Sequence, residues 1–580
     1  MEMINLTIDG QQIQVKAGTT VLEAARSAGI KIPTLCYMKE INEIGACRVC
    51  VVEANGRMVA SCVTPVTEGM EIKTNTPAVR EARKTVVELM ISDHPMECLT
   101  CERNGKCELQ TLAENLGIRE IPYEGARRDL PKDTSSPSIV RDPNKCILCR
   151  KCEAVCAKIQ EAHVLGGQNR GFNTIVAPAF SLPLNDVACT MCGQCIHACP
   201  VGAIYEKDDT AKVWEALGDP EKHVVVQIAP AVRVAIGEEF GLEPGTLVTG
   251  KVYAALRRLG FDKVFDTNFT ADLTIVEEGH ELIERLNDPD ATLPMITSCS
   301  PGWIKYIEHF YPELIPHLST CKSPQQMFGA LVKTYYPEKV GIDPARIFSV
   351  SIMPCTAKKF EAQRPEMNSS GYQDVDAVLT TRELARMIKE AGIDFVNLPD
   401  EEADAPMGIY TGAGTLFGTT GGVMEAAVRT AYEVVTGEQM PDIELKAVRG
   451  LTGIKEAEVD FNGKKIKVAV AHGLGNARKL MDLIAKGEAD YHFIEIMACP
   501  GGCIGGGGQP FPTNDEIRAA RARGLYEDDK NKPLRKSHEN PAVQELYKEF
   551  LKKPLGHKSH ELLHTHYTRR GRYPVVKKSE

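Results

Sequence analysis

What most constrains this chain is the placement of its twenty cysteines. Fifteen fall in the first 210 of 580 residues, mostly two to three residues apart. Thiolates at such gaps converge on one metal centre, a spacing that disulfide partners do not need. The N-terminal stretch MEMINLTIDGQQIQV lacks the apolar core of a secretion signal and a twin-arginine start, which favours reduced thiols in a cytoplasmic protein. No apolar run reaches the ~18 residues that would argue for a membrane span. A net charge of −10 argues against nucleic acid as a partner. The basic tail from Arg569 to Lys578 reads as solvated.

The first seventy residues form a compact unit. Ile4, Leu6 and Ile8 alternate before Asp9-Gly10, and Ile13 and Val15 alternate after it, which is a hairpin signal. Thr20-x-x-Glu23 then opens a helix that Gly29 ends. Cys36, Cys47, Cys50 and Cys62 follow, with a first gap wider than the plant-type ferredoxin spacing. Four cysteines suit zinc as well as iron. Hairpin, helix and cysteine loop together resemble the 2Fe–2S module that begins complex I's large iron–sulfur subunit and iron-only hydrogenases. A helix over Thr76–Ser92 leads to DHPMECLTCERNGKCELQ, where His94, Cys98, Cys101 and Cys107 form a rarer ligand set. The same His-plus-three-Cys pattern marks a 4Fe–4S cluster in both families.

The strongest generic signal is a doubled ferredoxin run. Cys146, Cys149, Cys152 and Cys156 are followed by Cys189, Cys192, Cys195 and Cys199, the last before Pro200. In such pairs the fourth cysteine ligates the other cluster. One 4Fe–4S centre then takes Cys146, Cys149, Cys152 and Cys199, and its neighbour takes Cys189, Cys192, Cys195 and Cys156. Four clusters in a row make a wire, so the chemistry belongs to the remaining residues.

That remainder reads as α/β, with buried strands at Val224–Ile228 and Lys467–Ala471 between amphipathic helices. Four of its five cysteines stand in three unusual loops, TSCSPGW (297–303), MPCTAKKFE (353–361) and MACPGGC (497–503), the fifth is Cys321, and a run of four glycines starts at Gly505. Buried packing cysteines would not explain the Pro-Gly surroundings or the lysines after Cys355.

With these loops the chain resembles, over essentially its whole length, an iron-only (FeFe) hydrogenase of the large multi-cluster type. The resemblance implies an α/β catalytic domain of two lobes at 211–580. Ahead of it stand α+β ferredoxin-type domains: a β-grasp 2Fe–2S unit at 1–78, a His/Cys3 4Fe–4S unit at 79–137 and a two-cluster unit at 138–210. It implies an H-cluster, a 4Fe–4S cubane joined by cysteine to a diiron unit with CO, cyanide and azadithiolate ligands, where H2 is reversibly split into protons and electrons. The glycine run would let the backbone approach this group.

Residue by residue, the resemblance makes Cys355, Cys499 and Cys503 cubane ligands, with Cys503 bridging to the diiron unit. Lys358 would donate to a cyanide, and Gln325, Met353, Met497, Ala229 and Pro230 would line the site. Glu278, Glu281, Ser319 and Arg285 match the family's proton relay, with Cys299 nearest the cluster. Two positions depart from the family: Ala231 replaces a serine, and Ser300 replaces the second cysteine of TSCCPGW. Three outcomes are open at Ser300. Cys299 shifts to become the ligand, Ser300 ligates as an alkoxide, or the site is damaged. Thiolate is the better match to iron in a sulfide cluster, which favours Cys299.

The electron partner implied is ferredoxin or a flavoprotein NAD(P)H-oxidising subunit, and the diiron unit implies maturation proteins. Two other readings remain. A complex I-like or formate-dehydrogenase-like electron-transfer subunit fits the first 210 residues but predicts neither MPCTAKK nor MACPGGC. A hydrogenase-like protein without the diiron unit, serving sensing or cluster assembly, is kept open by Ser300.

Overall fold

The computed structural model describes residues 2–574. At its N-terminus Met3–Ile8 and Gln11–Lys16 pair antiparallel, with Ile8 opposite Gln11. Asp9 and Gly10 both take positive φ, as a two-residue type I′ hairpin turn requires. The five-stranded sheet runs Gln11–Lys16, Met3–Ile8, Met70–Lys73, Val51–Ala54, Arg57–Ala60. The helix Val21–Ser27 is capped by the Thr20 hydroxyl, which accepts from the Glu23 N–H.

The helix Pro77–Ser92 has Thr76 as its N-cap and Pro77 at its first position, where a missing N–H costs nothing. Beyond Glu108–Asn115, strands Ile139–Arg141 and Ile204–Glu206 pair antiparallel. Between them in sequence lie the helices Lys151–Lys158 and Gln194–Ala198, which pack against each other.

The catalytic part is α/β with two four-stranded sheets. One is wholly parallel, in the order Lys263–Asp266, His223–Ile228, Ile347–Met353, Ala377–Thr380. The other runs Met295–Ile296, Phe493–Met497, Lys464–His472, Ile454–Phe461, with only the last pair antiparallel. The central strands are buried on both faces and read as unbroken apolar runs. The long helix Thr267–Asn287 packs against both Pro324–Val332 and Gly422–Thr436.

The C-terminal helix Asp515–Asn531 is tied in by a buried ion cluster. Arg429 bonds Glu425 at 2.6 Å and Asp529 at 2.9 Å, all three without solvent exposure. Removing the cation takes the shared partner from two buried carboxylates, leaving Glu425 only Arg449 at 2.7 Å and Asp529 chiefly Arg535 at 2.6 Å. Arg429→Met is therefore expected to destabilise the protein by about 3–5 kcal/mol, read as a lower denaturant midpoint with an unchanged slope.

The tail expected to be solvated is partly docked. The Arg570 side chain bonds Glu308 at 2.6 Å, and the Gly571 carbonyl lies 2.8 Å from His309 Nδ1. Burial of Glu308 makes it a stronger anchor than solvent for a nearby cation. The part of the tail beyond 574 lies outside the described residues. Among the described residues no helix is long and apolar enough to cross a membrane.

Candidate functional site

Parallel strands direct their carboxyl ends toward a common crevice, the usual ligand position of open α/β sheets. Here the two sheets do so toward each other. Ala229-Pro230 follows His223–Ile228, Pro354-Cys355 follows Ile347–Met353, Ser298 to Ser300 follow Met295–Ile296, and Ala498-Cys499 follows Phe493–Met497. These loops wall one cavity, lined overwhelmingly by apolar surface. Cys299, Ser300, Cys355, Cys499 and Cys503 line it, as do Lys358, Met353, Met497, Ala229 and Pro230.

Lys358 Nζ donates to the Cys299 carbonyl at 3.1 Å and to Glu361 Oε2 at 2.8 Å. An ammonium has three N–H donors, so one remains for a group in the cavity. Gln325 does not line the cavity as expected. Its amide N–H donates to the Lys358 carbonyl at 3.3 Å and to Glu361 at 3.1 Å, so it braces the lysine loop, while its Oε1 is buried without a partner. Ala231 sits in an apolar cluster with Ile504 and Leu525, where no polar contact is required.

Cys299 and Ser300 diverge. Burial and then the Glu278 charge push the Cys299 thiol up, with Lys358 and Cys503 as its next charged neighbours. Ser300 is the N-cap of helix Pro301–Phe310, and its hydroxyl accepts from the Ala498 N–H at 3.2 Å, next to Cys499. The favoured expectation, Cys299 at the cubane corner, runs against this arrangement: the Ala498 N–H holds the Ser300 hydroxyl beside Cys499, while Glu278 is the foremost charged neighbour of Cys299.

Behind Cys299, Glu278 is fully buried and its carboxyl is pushed up to about 8, by desolvation first and the Glu281 charge second. The Ser319 hydroxyl donates to Glu281 Oε2 at 3.0 Å and lies close enough to Glu278 to oppose the rise of its carboxyl. Arg285 bonds Glu281 Oε1 at 2.7 Å and borders solvent. These residues lie along a polar line from the cavity toward the surface, hydrogen-bonded from Ser319 outward.

The glycine run has a different reason from the one expected. A Cβ on Gly505 would overlap the Pro500 carbonyl, one on Gly506 the Pro354 carbonyl, one on Gly507 the Cys192 carbonyl and one on Gly508 Thr380. Only Gly506 of the four lines the cavity. The run is a crossing of backbones that closes the cysteine loops on one another.

The other cysteines gather in separate places. Cys50 and Cys62 place their sulfurs 3.3 Å apart, and Cys36 bonds both Cys47 and Cys62. His94 follows helix Pro77–Ser92, and Cys98, Cys101 and Cys107 follow on the same loop. Burial, then Lys145 and Arg128, lowers the His94 imidazole to about 4, which keeps it neutral as a metal ligand must be. Cys146, Cys149, Cys152 and Cys199 line one cavity; Cys156, Cys189, Cys192 and Cys195 line another. Cys192 lines both the second of these and the large cavity, so a single residue separates them.

Family models cover most of the chain. The iron only hydrogenase large subunit, C-terminal domain, matches residues 222–507, and the iron hydrogenase small subunit matches 515–570. A 2Fe-2S iron-sulfur cluster binding domain matches 1–77, the NADH-ubiquinone oxidoreductase-G iron-sulfur binding region 83–122, and a 4Fe-4S dicluster domain 145–203. The chain is 54% identical over 585 residues to the NADP-reducing hydrogenase subunit HndD of Solidesulfovibrio fructosivorans, spanning 99% of this chain and 100% of that protein. It belongs to the iron-only hydrogenases.

Iron hydrogenase 1 of Clostridium pasteurianum is 46% identical over 97% of this hydrogenase and all of that protein. A solved FeFe-hydrogenase from Chlamydomonas reinhardtii is 49% identical, with a TM-score of 0.56, covering 62% of this chain and 99% of that one. This hydrogenase therefore oxidises H2 and reduces protons, with electrons carried by iron–sulfur clusters, and it combines 2Fe–2S and 4Fe–4S binding domains with an H-cluster domain. The complex I-like match is confined to residues 83–122. The small-subunit segment had no signal in the cysteine pattern, because residues 515–570 contain no cysteine. Glu277, Thr320 and His564, which join the polar line at Glu281, also escaped the sequence reading.

Proposed function

We propose that this hydrogenase is the catalytic subunit of an NADP-linked complex, its electrons passing through the accessory clusters to a flavoprotein partner in the cytoplasm. The reading rests on the identity to HndD over that protein's full length. The four expected units at 1–78, 79–137, 138–210 and 211–580 then form wire and engine, with the last divided into large- and small-subunit segments. Cys98, exposed on the His94 loop, offers an electron port at the surface.

The residues present fit an H-cluster. Three thiols and a hydroxyl converge on an apolar cavity whose one ammonium keeps a spare donor. Cys355, Cys499, Cys503 and Ser300 would hold the cubane, Cys503 would bridge to the diiron unit, and Lys358 would bond a cyanide. When bound, the group supplies an open metal site for heterolytic cleavage of H2. The chain's own part is to exclude water around it and to move protons. Met353, Met497, Ala229 and Pro230 form the dry wall. Cys299 takes or gives the proton, Glu278 exchanges it with Cys299, and Ser319 passes it to Glu281 beside Arg285. The observation that carries the reading is the delivery of these cysteine loops and Lys358 to a single cavity, with Cys192 shared by the neighbouring cluster cavity.

Protein made anaerobically with the maturation machinery should show CO and cyanide stretching bands in the infrared. It should reduce NADP with H2 only when the flavoprotein subunit is added. Bands absent, with accessory clusters present and maturation verified on a control hydrogenase, would leave a sensing or assembly protein. Bands present without flavoprotein-dependent NADP reduction would point to ferredoxin instead.

A further inference from the structure

We propose that His564, carried by the small-subunit-like segment, exchanges protons between Glu281 and solvent and so forms the outer end of the proton relay. The inference rests on the relay reading above and extends it beyond Glu281.

A proton arriving at Glu281 can leave to water directly or, faster, through a neighbour that accepts it. Arg285 cannot, because a guanidinium stays charged at any working pH. The Thr320 backbone N–H, at 3.1 Å, is a donor only. The Thr320 hydroxyl is different: it lies 3.3 Å from Glu281 Oε2 and 2.8 Å from His564 Nδ1. An imidazole is the side chain suited to changing charge between pH 5 and 8. On its other side, His564 Nε2 is 3.2 Å from Glu277 Oε2. Glu277 also accepts from the Tyr547 hydroxyl at 2.5 Å and the Leu555 N–H at 2.9 Å. Against its desolvation, these donors hold the Glu277 carboxyl below the usual carboxylate range, so it faces His564 as an acceptor.

The contact is built into the fold. The Lys322 N–H donates to the Leu563 carbonyl and the Thr565 N–H to the Thr320 carbonyl, both at 2.8 Å, so residues 320–322 and 563–565 pair like short strands. His560, exposed, sets its ring 4.4 Å from that of His564 and marks the way out. The groups facing His564 are thus Glu277 and Glu281 from the long helix, Thr320 and Cys321 from the paired segment, Tyr547 and His560. Glu278 lies one step further in.

The step balances as a proton relay. Outward, the Glu281 carboxyl proton moves to Thr320 Oγ as the hydroxyl's own proton moves to His564 Nδ1. The imidazolium then passes its Nε2 proton to Glu277 Oε2, its partner at 3.2 Å, and from there to water, leaving Glu281 and Glu277 anionic and the ring neutral. Inward transfer reverses these moves.

The test uses the matured holoenzyme and four variants: His564→Gln, His564→Ala, Thr320→Val and the Thr320→Val/His564→Gln double. Positioned acid–base groups contribute roughly 10²–10⁴-fold, and because water can still reach Glu281 directly the loss here is expected at about tenfold in kcat. KM for H2 and the infrared bands should stay unchanged, and the pH dependence between 5 and 8 should flatten. The double variant should be no slower than either single, and added imidazole should restore His564→Ala. A wild-type pH profile in His564→Gln, additive losses in the double, or no rescue by imidazole with intact bands would overturn the assignment. Glu278→Gln separates the two levels. If it leaves turnover unchanged, the relay itself is misassigned; if it blocks turnover while His564→Gln does not, only the His564 branch fails.

Discussion

Glu278→Gln lowers H2 turnover by roughly 10²–10⁴-fold, the contribution typical of a positioned acid–base group, while the CO and cyanide bands stay in place. Glutamine keeps the shape and one acceptor but cannot exchange a proton. Glu278 is the buried carboxyl between Cys299 and Ser319, and no other ionisable side chain on the relay line stands between them. The same substitution should stabilise the protein at alkaline pH. Burial, then the Glu281 charge, raises this carboxyl from 4.5 to about 8. Between those values the unfolded chain has released its proton and the folded chain has kept it, so stability falls as pH rises through the window. Each unit is worth 1.36 kcal/mol, so the strain relieved above pH 8 is on the order of 3–5 kcal/mol. Thermal unfolding at pH 5 and pH 8 checks the sign: the variant should gain far more over wild type at pH 8. A fast, unstabilised variant would remove Glu278 from both roles.

The second large effect separates Cys299 from Ser300. Cys299→Ala is expected to keep the cubane's electron paramagnetic resonance signal and to lose turnover by at least about 10²-fold. Ser300→Ala is expected to lose cubane iron, and Ser300→Cys to bind it more firmly, because thiolate suits iron better than a hydroxyl oxygen. The geometry behind this is the start of helix Pro301–Phe310, where the Ser300 hydroxyl accepts from the Ala498 N–H beside Cys499. Loss of the cubane in Cys299→Ala, with Ser300→Ala unaffected, would return the corner to Cys299. Either result is read from the cluster signal and does not depend on activity.

Much of the molecule was legible from local pattern. The Asp9-Gly10 turn, the helix begun at Thr76 and the strand His223–Ile228 each follow from contacts within a few residues. The cysteine motifs are likewise local, and their spacing announces iron–sulfur chemistry before any fold is known. Pro354 and Cys355 at the end of a buried strand could be read from the apolar run that precedes them.

Other features depend on chain segments that only packing brings together. Thr320 and His564 are 244 positions apart, and Glu277 and His564 are 287 apart, so no periodicity links them. The glycine run suggested a bulky cofactor, yet its small residues are required by the backbones of Pro354, Pro500 and Cys192 that cross there. The sequence by itself determined which metals and ligand types this protein uses, because a thiolate cluster is specified by residue identity over a short span. Tertiary structure decided which loops meet at one cavity, where Cys299 and Ser300 point, and that Thr320 and His564 adjoin Glu281, because those choices depend on how two sheets and a C-terminal segment pack across hundreds of residues.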